Sequence, residues 1–97
     1  MNKNYLAGRR FEYEVKAYWM RDGFETIRAS GSHGEYDVVA YRLDRKPAFI
    51  QCKRVKESRD VALLLKKFQK NTISSAHYHQ ILAVKVKGEN GFHTALV

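Results

Sequence analysis

Apolar residues recur at helical spacing over Asn4–Asp22. There Phe11, Val15, Tyr18 and Trp19 share a side, while Arg9, Arg10, Lys16 and Arg21 lie mostly elsewhere. Asp22-Gly23 supplies a stop, because glycine readily takes the left-handed conformation that ends helices. The period then changes to two. Strands are predicted over Phe24–Ala29, Tyr36–Leu43 and Ala48–Arg54, with a turn at Asp44-Arg45-Lys46-Pro47. Ser58 is the expected N-cap of a second helix, Arg59–Asn71, whose apolar side carries Val61, Leu64, Leu65 and Phe68. A strand over His79–Lys87, a turn at Gly88-Glu89-Asn90-Gly91 and a last strand over Phe92–Val97 complete the order α-β-β-β-α-β-β. That order predicts an α/β domain with a mixed central β-sheet flanked by helices: turns join antiparallel strands, and the second helix supplies a parallel crossover.

A chain of 97 residues makes one domain, 1–97, and not two. The 44% apolar content excludes a disordered chain. Lys and Arg number 18 against 10 Asp and Glu, a net charge of +8, which favours nucleic acid first and an anionic membrane surface second. No apolar run is long enough to span a bilayer, and Met1-Asn2-Lys3-Asn4-Tyr5 does not read as a signal peptide. Cys52, the only cysteine, excludes an internal disulfide and a cysteine zinc knuckle, so the expected compartment is reducing and cytoplasmic.

The third strand breaks the apolar rule. Alternation puts Phe49, Gln51 and Lys53 on one face and Ile50, Cys52 and Arg54 on the other. On a central strand Gln51 and Lys53 face a helix, where an unpartnered amide costs on the order of 2–7 kcal/mol, so they need partners. Asp37, which opens the run Val38-Val39-Ala40, can supply one, with Glu35 as its rival for the acidic role. Glu12 lies at the edge of the Phe11/Val15/Trp19 stripe, close to the sheet. Glu12, Asp37, Gln51 and Lys53 can therefore meet. Two carboxylates with an amide or main-chain carbonyl form a hard-oxygen site of the kind magnesium accepts, and a lysine beside it can orient or deprotonate water.

Glu12, Arg28-Ala29-Ser30-Gly31-Ser32, Asp37 and Gln51-Cys52-Lys53 together resemble the archaeal-type Holliday junction resolvases, small members of the PD-(D/E)-x-K nuclease superfamily with phage-borne relatives. The resemblance covers nearly the whole chain and implies a restriction-endonuclease-like fold. It makes Glu12, Asp37 and Gln51 metal-site residues, with Cys52 contributing its backbone carbonyl. Lys53 becomes the water-activating lysine and Ser32 an accessory catalytic residue. It gives Arg9, Arg10 and Arg28 to the DNA backbone; His33, as a phosphate or solvent contact, and Arg54, Lys56 and Arg59 are further candidate DNA-binding residues. The implied cofactor is Mg2+, with Mn2+ able to substitute and no small-molecule cofactor. The implied partners are branched DNA (a four-way junction) and a second copy in a homodimer, with no membrane. Gln51 departs from the family's usual glutamate, which removes a charge and should weaken metal affinity.

Plainer readings remain beside this one. Glu12 can pair with Lys16 at i+4 on a solvated helix face, and Asp37 can be a turn residue. His77 and His79 have no third ligand in view and read as surface residues. Tyr5, Tyr13 and Tyr18 can stack on bases, but packing in the core or a dimer is the favoured expectation. Part of Leu63-Leu64-Leu65 is left for a subunit contact. The favoured function is a metal-dependent endodeoxyribonuclease that resolves four-way junctions by paired symmetric nicks. Its rivals are another superfamily nuclease acting on flaps, ends or damaged duplex, and a non-catalytic basic nucleic-acid-binding module.

Overall fold

The computed structural model describes residues 3–29 and 36–97. The chain runs α1 (Lys3–Arg21), β1 (Glu25–Arg28), β2 (Val38–Arg42), β3 (Arg45–Val55), α2 (Arg59–Asn71), β4 (His79–Val86) and β5 (His93–Leu96). The five strands form one sheet in sequence order. Every pairing is antiparallel except β3 with β4, which run parallel from Ala48↔His79 to Val55↔Val86. This is the expected mixed sheet: α2 carries the crossover between the parallel strands, and the turn Leu43-Asp44 joins the antiparallel β2 and β3.

The two helices cover opposite faces. Phe11 and Val15 of α1, one turn apart, are buried with Val38, Ala40, Ala48, Ile50, Ile81 and Ala83, and Cys52 packs against that cluster. Val61 of α2 is buried with Leu82, Val84 and Val86, and Leu64, Leu65 and Phe68 pack around them. The alternation of β4, with Ile81 and Ala83 on one side and Leu82 and Val84 on the other, explains why that strand is apolar throughout: it is the strand both layers rest on. α1 lies mainly over β1, β2 and β3 and reaches β4 through the Glu14–Lys85 ion pair, whereas α2 lies over β4 and β5.

Three expectations change. The turn after β2 is Leu43-Asp44, and Arg45, Lys46 and Pro47 belong to β3. Pro47 is tolerated there because its missing N–H would face β4, whose pairing begins only at Ala48. Ser58 is in the right-handed helical conformation and makes no side-chain cap. Backbone bonds from Asp60 N to the Glu57 carbonyl (3.1 Å) and from Val61 N to the Ser58 carbonyl (3.2 Å) satisfy those first donors instead. Tyr5, Tyr13 and Tyr18 are exposed, at 52%, 48% and 49%, so they are not core residues.

Candidate active site

Asp37 lies at a bend just before β2 and is fixed from three sides. Its N–H donates to the Ile50 carbonyl at 2.8 Å, and its own carbonyl accepts from Ala29 N–H at 2.8 Å. Its Oδ2 accepts the Cys52 N–H at 2.8 Å. A side chain thus satisfies a β3 donor just beyond the point where β2 pairing begins at Val38↔Ile50. In a strand a residue's N–H and C=O project to the same side, so the Cys52 carbonyl leaves β3 along the edge that Asp37 occupies.

Glu12 approaches from α1. Its Oε1 is 3.4 Å from Arg28 Nε, with side-chain exposures of 23% and 12%. The pairing is with β1 and not with Lys16. Burial, followed by the nearby charge of Asp37, pushes the Glu12 carboxyl above its usual range, against the pull of Arg28. Burial and the same two carboxylates also hold the Cys52 thiol far above the ordinary range. A thiol that stays protonated is a poor metal ligand, which leaves the main chain of Cys52 as its useful donor.

Gln51 and Lys53 leave β3 on the other face, as the alternation predicts. They line a cleft of about 430 Å³ beneath α2, with Tyr36, Lys67 and Asn71 among its walls. The structure therefore joins Glu12, Asp37 and the Cys52 main chain on one side, and Gln51 with Lys53 on the other. The two sets adjoin along one stretch of β3. Among the described residues no three His, Cys, Asp or Glu side chains form a group that could hold a metal ion by themselves. An amide or carbonyl oxygen must complete any cation site, and the donors present, two interacting carboxylates with an adjacent carbonyl, suit a hard divalent ion.

Ser32, His33 and Glu35 lie outside the described residues. Arg9, Arg10, Arg54, Lys56 and Arg59 are exposed, as DNA contacts require. Arg28 is largely shielded, its guanidinium turned to Glu12. Sequence reading missed Lys87, which shares a cleft with Arg54 and Lys56 at the carboxyl ends of the parallel strands. Only the β3–β4 register reveals that neighbour. It also missed the cationic surroundings of Tyr13, although the i, i+4 spacing from Arg9 was a usable sign.

The sequence model of a restriction endonuclease family (Mrr_cat) matches residues 4–87. No curated protein sequence matches the chain. Among solved structures the chain is similar to the 1.6 Å structure of Archaeoglobus fulgidus Hjc, described as a Holliday junction resolvase from an archaeal hyperthermophile. The TM-score is 0.60 at 24% sequence identity, over 92% of this chain and 71% of that one.

Proposed function

The chain belongs to the restriction endonuclease family, and on that premise we propose that it is a magnesium-dependent endodeoxyribonuclease that resolves four-way DNA junctions as a homodimer. The observation that carries the catalytic part is the Asp37 carboxylate, locked onto the Cys52 N–H and close enough to Glu12 to raise its proton affinity. The fold shared with the archaeal resolvase supports the choice of branched DNA as substrate.

Glu12, Asp37, Gln51 and the Cys52 carbonyl would hold Mg2+, with Mn2+ as a substitute. When bound, such an ion neutralises phosphate charge and favours ionisation of water. Lys53 orients the attacking water and hydrogen-bonds the phosphate as negative charge grows on its oxygens. Attack in line with the leaving oxygen breaks the phosphodiester and yields 5′-phosphate and 3′-hydroxyl ends. Ser32 is an accessory contact to the phosphate. Exposed Arg9, Arg10, Arg54, Lys56 and Arg59, together with His33, hold the backbone, so recognition rests on phosphate positions and branch shape. Resolution needs cuts on two opposed strands, and one chain carries one Gln51-Cys52-Lys53 segment; a two-fold dimer supplies the second.

The family match by itself also fits an enzyme of linear duplex. Incubating an end-labelled four-way junction and a linear duplex of equal length, each with and without magnesium, separates the two. Paired nicks symmetric about the branch, confined to the junction and dependent on magnesium, are expected. Equal cutting of both substrates removes the resolvase assignment, and no cutting of either removes the nuclease one.

A further inference from the structure

Tyr13 stands next to Glu12 on α1, about half exposed, and three cations surround its ring. Arg9, Lys16 and Arg28 lie 5.7, 5.3 and 5.5 Å from the ring centroid. Arg9 and Lys16 come from the same helix at i−4 and i+3, whereas Arg28 arrives from β1. Like charges gathered so closely repel one another. Carboxylate partners would relieve that repulsion and cancel the positive field as well. An aromatic face relieves it differently: its quadrupole attracts each cation while leaving the net charge intact. Among the described residues only Arg28 of the three has a carboxylate partner, Glu12, so the charges of Arg9 and Lys16 stay uncancelled.

We propose that Tyr13 organises a phosphate-binding cluster, its ring gathering Arg9 and Lys16 in front of Arg28 to seat a DNA backbone phosphate beside Glu12. This rests on the nuclease reading for the identity of the polyanion but not for its test. The ring faces are occupied by cations, so Tyr13 acts through Arg9 and Lys16 and does not stack on a base. It is a positioning residue.

Binding of a synthetic four-way junction is measured in excess chelator, across a salt series. Each lost phosphate contact makes the slope of log affinity against log salt shallower by about 0.9. Tyr13→Leu keeps bulk and helix propensity at an exposed position but removes the π face. The expected result is a slope shallower by about two, with an unchanged melting temperature. Tyr13→Phe keeps the π face and loses only the hydroxyl, which Arg9 also bonds, so it should cost less than one unit of slope. Lys16→Gln alone should cost about one unit of slope, and combining it with Tyr13→Leu should cost nothing further, because both act on the same contact. A wild-type slope in Tyr13→Leu, or equal losses in Tyr13→Phe and Tyr13→Leu, overturns the proposal. Since no cleavage is read, an inactive enzyme would defeat the nuclease reading while leaving this result interpretable.

Discussion

Arg28 Nε lies 3.4 Å from Glu12 Oε1, a guanidinium from the first strand set against a carboxylate from the first helix, both largely shielded from water. The same carboxylate is pushed up by burial and by Asp37, and these outweigh the arginine. A group with this balance is poised to accept a second positive charge.

The pH dependence of stability follows in metal-free protein. With its pKa raised in the folded state, Glu12 keeps a proton that the unfolded chain has already released. Its contribution is most favourable below the unfolded value, is lost as pH rises towards the folded value, and is constant above that. Urea midpoints in chelator, from about pH 4 to 8, should therefore fall for wild type relative to Glu12→Gln across the carboxylate range. Arg28→Gln removes the one lowering influence and should extend the fall to higher pH. A wild-type midpoint that rises relative to Glu12→Gln would contradict this balance.

Asp37→Asn should abolish cleavage while leaving junction affinity near wild type, since an amide oxygen can still accept the Cys52 N–H but carries no charge. Asp37→Ala also strands that N–H and should cost about 1–3 kcal/mol of stability, read by denaturant titration. Full activity in Asp37→Asn, measured on labelled junction, would remove Asp37 from the site.

Gln51→Glu restores the acidic residue usual in the resolvases that the sequence resembles. Because ligand charge tunes divalent-ion affinity, the magnesium concentration for half-maximal cleavage should drop several-fold with activity retained. Unchanged magnesium dependence would place the Gln51 side chain away from the ion.

Gln80 is buried, accepts from the Tyr36 hydroxyl and donates to the Ile73 carbonyl. Gln80→Leu removes both bonds. The expected loss is about 1–3 kcal/mol, and for a domain this size each kcal/mol lowers the melting temperature by roughly 4–8 °C. Calorimetry showing no loss would mean that neither bond contributes.

Strong periodicity made most of the fold legible. The bounds of α2 follow from one amphipathic stripe, and β4 was visible as a continuous apolar run. Pro47 and Ser58 misled because their local preferences, for a turn and for a helix cap, were overridden by neighbours distant in sequence or by backbone bonds. At the site, alternation correctly separated Gln51 and Lys53 from Cys52. It could not say that Asp37 turns into the plane of the sheet, since that depends on where β2 begins relative to β3. The inward turn of Arg28 was hidden for a similar reason: exposure of a charged residue near a strand end depends on which helix crosses it.

The Cys52 amide is bonded to a carboxylate and not to another strand. That makes its proton a built-in spectroscopic reporter. Its chemical shift and its solvent-exchange rate respond to the charge state of Asp37 and to anything that draws electron density from that oxygen. In a 15N-labelled sample, a titration followed at this one resonance would register occupancy of the site directly, without substrate and without a reaction.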